Sequence, residues 1–503
     1  MASPLTRGLL TNTPKSKDTM IVSIFPTERE LNILTDRTRY MVWAPLNFSI
    51  TFCDGASPSA RKLAPIKSGG SGFYNSSNAL RSRTWWDMSS AKVKNLVNEK
   101  GCRPRTTMRV TDVKTQIVNL DFRNAVIVKV ETDRGISGMS ETTMKRKTLS
   151  IEQSILELKR YLVGKDPTEI ENHWEKMYRD SFWVGGAMHS TAISAIDCAL
   201  WDISAKSCGL PVHKLLGGPT RTRVPVYCHC PAGGSPEEFA KNMKLCQKRG
   251  YSAAKTTLPL FYGSPISEGK ASSNGYSGTG GVIDRGYRET EYLDASIWRR
   301  IGEFFIAARE AVGPDMGLAV DCHGRLNLKN AIGLCRALED VNLMFVEEPV
   351  PPENADVLAE VRRATSIPIA AGERWATIYG VREFVEKQAI DILQCDLVNC
   401  GGITGMKRIA ALAEAHYIGM APHNPNGPLA TAMNVQFAAT IPNYLILETI
   451  GAQSEQKLEQ ALVRNPLKLE TGCLTVPTEP GYGIQMVEEA FSQFPFVPHE
   501  GWR

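Results

Sequence analysis

The chain has 503 residues, of which 43% are hydrophobic and 22% charged, a balance too apolar for a disordered protein. Its 12 cysteines are too dilute for a small disulfide-stapled scaffold, and no apolar run reaches the roughly 18 residues that a membrane span needs. The net charge of +5 is uneven: residues 1–105 hold 16 Lys and Arg against 7 Asp and Glu, which leaves the remainder slightly acidic. An acidic body without a basic recognition motif argues against nucleic acid as a partner.

Residues 1–107 read differently from the rest and are taken as an N-terminal extension, flexible and dispensable. The stretch 55–83 is rich in Ser, Gly and Ala, carries five Lys or Arg and no acid, and lacks the period of a helix or strand. No secretory apolar segment opens the chain, and acids at Asp18, Glu28, Glu30 and Asp36 argue against a transit peptide. The cysteines have no metal spacing and mostly sit in apolar surroundings, as in Cys198-Ala199-Leu200-Trp201. Buried free thiols in a reducing, cytoplasmic setting are expected.

From Met108 an alternating pattern predicts strands at 109–113 and 124–130. Apolar residues at Ile151, Ile155, Leu158 and Leu162 follow the helical period. The Ala-rich segment 190–208 is apolar on most faces and should be a buried helix, ended by Gly209 and Pro211. An α+β domain over 108–222 follows.

Between 223 and 450, eight short apolar runs alternate with helical stretches: VPVYCH, AAKTT, GLAVD, LMFVEEP, IPIAAGE, DILQCD, IGMAPH and YLILE. Strands separated by helices imply βαβ units and a parallel sheet, and eight of them favour a closed β/α barrel over an open sheet. The Gly- and Ser-rich stretch 262–296 follows the second run and is expected to be an inserted loop, with a lid role. Residues 451–503 are expected to return to the α+β domain.

The last six runs each finish on an ionisable side chain: Asp321, Glu347, Glu373, Asp396, His423 and Glu448. Acids and histidines make up only about one residue in eight, so chance is a poor explanation. On a barrel these positions converge on the C-terminal face, where active sites lie. Asp321, Glu347 and Glu373 are spaced 26 apart, about one βα unit each. Three carboxylates on adjacent strand ends repel one another, and a hard divalent cation with oxygen ligands, Mg²⁺, is the usual remedy. The alternative is that each acid merely caps a helix N-terminus. Asp396, at the strand end before His423, can fix its imidazole tautomer and raise its basicity, which suits a general base. His323, two residues past Asp321, should lie on the rim of the same pocket by the strand period of two.

These motifs resemble the mandelate racemase subgroup of the enolase superfamily, and within it the galactonate-type acid-sugar dehydratases. The carriers are AISAIDCALWDISAKSCGLPVHKLLGG (192–218), VDCHGR (320–325), FVEEPVPPEN (345–354), AAGER (370–374), CDLVNCGGITGMKRIA (395–410), APHNPNGPLA (421–430) and PGYGI (480–484). The resemblance implies a (β/α)7β TIM-like barrel with an α+β capping domain, an α/β fold. It implies Asp321, Glu347 and Glu373 as Mg²⁺ ligands, one ion per subunit. His423 with Asp396 would remove the proton α to a substrate carboxylate, and His323 would protonate the departing 3-hydroxyl. Glu448 would hydrogen-bond the developing enediolate. The product would be a 2-keto-3-deoxy acid, the substrate a small sugar acid, and the protein a homo-oligomer. Lys255 is expected either to contact the substrate carboxylate or to form a structural ion pair, and Arg374 is an expected substrate contact. Racemases of the subgroup carry Lys-x-Lys where this chain has Lys255-Thr256-Thr257, so a two-base racemase is disfavoured. An epimerase or cycloisomerase on a related carboxylate, and a non-catalytic scaffold, are the competing readings. Phe182 and Trp183 are expected either to shape the pocket from the capping domain or to pack between domains.

Overall fold

The computed structural model describes residues 107–120, 123–261, 293, 295–451 and 453–498, together with four strands nearer the N-terminus. The chain divides into two units, Met1–Cys102 and Arg103–Arg503. In the first unit β1 (Ile21–Phe25), β2 (Glu30–Thr35), β3 (Ser49–Asp54) and β4 (Arg61–Lys62) form one sheet in that order, with β2 and β3 parallel. β4 falls inside 55–83, and a strand of two residues is too short to leave a periodic signature there. Nearly all of the expected 262–296 loop lies outside the described residues, and the lid expectation with it.

The second unit opens with an antiparallel sheet of β5 (Val110–Asn119), β6 (Asn124–Thr132) and β7 (Ser137–Thr142). Val110 and Val113 of β5 face the helices, a bulge between Val110 and Asp112 bringing both to that side, and Val118 faces the opposite side of the sheet. Helix Thr148–Leu162 packs on β5 and β6, helix Ile170–Arg179 packs on the helix that follows it, and that third helix, Gly186–Cys208, packs on β6 and β7. The last is buried over most of its length because it lies between β7 and a helix of the barrel, so neither side needs a polar face. It approaches β7 so closely that a Cβ on Gly138 would stand 2.0 Å from the carbonyl oxygen of Ala199. Gly209 ends it in the left-handed conformation, φ 66°.

All eight apolar runs are strands: β8 (Arg223–His229), β9 (Ala253–Thr257), β10 (Gly317–Asp321), β11 (Phe345–Glu347), β12 (Ile369–Ala371), β13 (Ile392–Leu393), β14 (Gly419–Met420) and β15 (Leu447–Thr449). β8 to β14 pair in parallel in chain order, and β15 returns to pair with β8. A parallel bridge between Met420 and Tyr444, with Leu445 N–H donating to the Met420 carbonyl at 2.8 Å, joins the β14 and β15 ends and closes the sheet. Inside it lies one residue from each strand or its margin: Tyr227, Ala253, Ala319, Phe345, Ala370, Ile392, Ala421 and Ile446. Two aromatic rings among alanines fill this layer, as a packed barrel interior demands.

After the barrel, β16 (Leu469–Glu470) and β17 (Cys473–Thr475) form a hairpin whose second strand pairs antiparallel with the start of β8. The chain then returns to the three-stranded sheet. Val118, Leu120, Ala125 and Ile127 share a core with Leu458, Leu462, Val463, Ala490 and Phe491. Asn124 exchanges hydrogen bonds of 2.7 and 3.1 Å with the backbone of Val497.

Candidate active site

Asp321 and Glu347 end β10 and β11, and Glu373 follows β12 by two residues. One oxygen from each lies within 4.8 Å of the others. β10 and β11 hold this register by pairing Asp321 directly with Glu347. Glu347 is fully buried; its Oε2 accepts from Lys255 Nζ at 2.7 Å and from Gln394 Nε2 at 2.9 Å. Its Oε1 is buried with no hydrogen-bond partner. A buried, unpaired carboxylate oxygen beside two more carboxylates, an all-oxygen hard donor set, fits a divalent cation such as Mg²⁺. Burial, and then the charge of Asp321, push the Glu347 carboxyl up to about 8.

Lys255 is fully buried beneath the carboxylates, 3.2 Å from Glu448 Oε1 and 3.5 Å from Asp321 Oδ2 besides its Glu347 contact. Burial opposes its charge, but Glu347 and Glu448 override that and hold the ammonium well above its ordinary range. The expected substrate contact is thus an ion-paired lysine within the acid cluster. Arg374, on the rim, makes a two-pronged pair with Glu348 at 3.0 and 2.6 Å.

The dyad is formed: His423 Nδ1 lies 2.8 Å from Asp396 Oδ2, and its Nε2 lies 2.8 Å from Glu373 Oε2. Burial would lower this imidazole's pKa, but Glu373, Glu448 and Asp396 together hold it well above the usual histidine value. Asp396 also accepts from Val398 N–H at 2.9 Å and from Asn426 Nδ2 at 3.2 Å. His323 Nε2 stands 3.1 Å from Asp321 Oδ2. It reaches the pocket by a route that the strand period does not describe. Its φ of 50° turns the backbone out of the extended region, and its N–H donates to Asp321 Oδ1 at 2.9 Å. Burial, ahead of the opposing charge of Asp321, lowers its pKa. Two imidazoles therefore stand beside two different members of one carboxylate triad.

Glu448 joins the same cluster. Its Oε1 lies 2.5 Å from His229 Nε2, and its Oε2 accepts the Asn424 N–H at 3.1 Å. His229 was missed by sequence reasoning, although it ends the run VPVYCH just as the other candidates end theirs. Gln394, Asn424 and Asn426 were missed as well, since neutral amides carry no spacing signal. Phe182 and Trp183 are each 83% exposed, so neither packs between domains. Eight of the ten cysteines among the described residues are buried free thiols.

Residues 102–217 match the N-terminal domain of mandelate racemase and muconate lactonizing enzymes, and residues 296–490 match the enolase C-terminal domain-like family. A D-galactonate dehydratase family member of Streptomyces bingchenggensis is 32% identical over 392 residues, 76% of this chain and 92% of the relative. This chain belongs to the enolase superfamily. Within the superfamily it is also 33% identical to a D-galactonate dehydratase of Variovorax paradoxus, over 72% of this chain and 89% of that one. It is 32% identical to a D-mannonate dehydratase of Caulobacter vibrioides, over 77% and 95%. A solved enolase-superfamily member from Salmonella Typhimurium superposes with a TM-score of 0.69 at 29% identity, covering 77% of this chain and 98% of that one. A solved enolase from Pantoea ananatis, with bound D-gluconate and Mg, gives 0.67 at 28% identity, covering 77% and 95%. This enolase-superfamily chain is a lyase of the hydro-lyase type. No helix among its described residues is long and apolar enough to cross a membrane.

Proposed function

We propose that the protein dehydrates a galactonate-like aldonate to a 2-keto-3-deoxy acid, with Mg²⁺ held by Asp321, Glu347 and Glu373. The observation that carries this reading is the pair of imidazoles at one triad, His423 beside Glu373 and His323 beside Asp321. The cation, when bound, supplies positive charge beside the substrate carboxylate, which makes the α-proton more acidic.

The chain's own groups do the rest. His423 takes the C2 proton on Nε2 while Asp396 keeps its Nδ1 protonated and the ring fixed. The C2–H electron pair delocalises into the carboxylate to give the enediolate, which Glu448 would hydrogen-bond. The electrons then return to form the C2=C3 bond as the C3–O bond breaks. His323 gives its proton to the leaving hydroxyl, so water departs and an enol remains. Tautomerisation of the enol yields the keto acid. Lys255 offsets the charge of Glu347 and Glu448 within the buried cluster. Because Thr257 stands where a racemase of this subgroup has its second lysine, a base on the opposite face has no counterpart on β9.

The test is a screen of purified protein with Mg²⁺ against sugar acids, D-galactonate, D-mannonate and D-gluconate among them, read as keto-acid semicarbazone. Turnover of one or a few acids is the expected result. Exchange of the α-proton in deuterated water without keto acid would replace dehydration by epimerase-type chemistry, and neither signal would leave a scaffold.

A further inference from the structure

We propose that Glu141, a capping-domain residue on β7, is a positioning residue for the proton-abstracting dyad, because it anchors the barrel segment that carries His423 and Asn426. The inference rests on the dehydratase reading for its activity measurement.

Glu141 is buried, and its Oε1 accepts the Gly427 N–H at 2.5 Å while its Oε2 accepts the Ala430 N–H at 3.2 Å. Gly427 is the N-cap of helix Pro428–Ala438 and has no side chain to cap it, and Pro428 has no N–H. A carboxylate from the other domain therefore supplies the cap and meets the positive end of the helix dipole. The fit is close on both sides: a Cβ on Gly427 would stand 2.7 Å from both Glu141 oxygens. Burial pushes the carboxyl up to about 7, while these N–H groups and the charge of Arg123 pull it down.

What the anchor holds is chemical. One residue before Gly427, Asn426 donates to Asp396 Oδ2 at 3.2 Å. Asn424 binds Glu448 through its N–H, at 3.1 Å. His423 opens the same five-residue stretch. The loop after Asp396 is held from the same domain, since Ser194 Oγ accepts from Gly401 and Gly402 N–H and Asp197 accepts from Thr404 N–H. Both halves of the dyad are thus fixed by the capping domain, and on the histidine side Glu141 holds the backbone while Arg123 reaches the Asn426 side chain, Nη1 to Oδ1, at 3.5 Å.

The test uses the full chain with histidine labelled at ¹³Cε1, its His423 resonance identified by loss in His423→Asn. Glu141→Gln and Gly427→Ala are compared with wild type. Both should shift that resonance and lower kcat for α-proton exchange and keto-acid formation about 10- to 100-fold, with KM and Mg²⁺ affinity unchanged within about threefold. The double variant should be no worse than the weaker single one. A folded Glu141→Gln protein with the wild-type resonance and kcat overturns the proposal. So does a loss shared equally by kcat, KM and metal affinity. If Glu141→Gln is insoluble, Gly427→Ala decides by the same criteria. If wild type turns over none of D-galactonate, D-mannonate and D-gluconate, the dehydratase reading falls, and the His423 resonance still decides the role of Glu141.

Discussion

Asp396→Asn isolates what the carboxylate does for His423. In the wild type Oδ1 accepts the Val398 N–H at 2.9 Å, and Oδ2 accepts from His423 Nδ1 at 2.8 Å and Asn426 Nδ2 at 3.2 Å. An asparagine must keep its one oxygen toward Val398, because a backbone N–H cannot face an amide NH2. That turns the NH2 toward His423, which can then only accept at Nδ1 and so carries its proton on Nε2, the nitrogen that must receive the substrate proton. The same NH2 opposes the Asn426 amide. Losing the right tautomer costs about 10³- to 10⁴-fold in kcat, or roughly 4–5.5 kcal/mol of barrier. KM and Mg²⁺ affinity should stay near wild type, since no triad oxygen bonds to Asp396. The assay is the rate of α-proton exchange in deuterated water beside keto-acid formation. A loss below about tenfold in both would refute the tautomer argument.

Glu347→Gln should abolish Mg²⁺ binding in calorimetry: Lys255 and Gln394 fix the oxygen at the Oε2 position, so an NH2, which cannot ligate a cation, replaces the buried, unpartnered Oε1, and the triad loses one negative charge. Binding at wild-type affinity would remove Glu347 from the ligand set. Lys255→Met should lower stability in metal-free urea unfolding by about 3–5 kcal/mol, the usual cost of leaving buried partners without their counter-charge. Mg²⁺ should then stabilise the variant more than wild type, and equal stabilisation of both would contradict this. Asp197, pushed by burial from 3.8 up to about 7, binds its proton more tightly in the folded than in the unfolded chain. Its contribution to stability is therefore full below about pH 4 and lost as pH rises through 7. Between those values wild type should lose up to about 1.4 kcal/mol per pH unit more than Asp197→Asn, measured from urea midpoints, and parallel profiles would sink the assignment.

The barrel strands and the carboxylate triad were legible because each leaves a local mark. A short apolar run ends on an acid, and the 26-residue interval between acids is the length of one βα unit. His423 and Asp396 were legible for the same reason. What escaped was of three physical kinds. His323 itself was legible from its place two residues past Asp321, but its route was not: it enters the site through a left-handed backbone, which no strand periodicity encodes. Gln394, Asn424 and Asn426 act only through their partners, so their chemistry exists in the contact and not in the residue type. Glu141 bonds Gly427 across 286 residues of sequence and Asp197 bonds Thr404 across 207, and nothing near either acid marks it as a helix cap for another domain. Arg374 and Lys255 were expected on the substrate, and the structure adds carboxylate partners for both.

The closure of the three-stranded sheet against the C-terminal segment sets an order of events during synthesis. Asn124 and Val497 are 373 residues apart, so at about 5–20 residues per second the ribosome delivers the second partner roughly 20–70 s after the first. For most of that interval, until residue 458 is made, Val118, Leu120, Ala125 and Ile127 lack the apolar neighbours that will cover them, Leu458, Leu462 and Phe491 among them. The nascent chain thus presents a hydrophobic strand surface for most of its translation, a window in which a chaperone would find its grip. A ribosome stalled after β15 would hold a chain with every barrel strand made and this surface still bare.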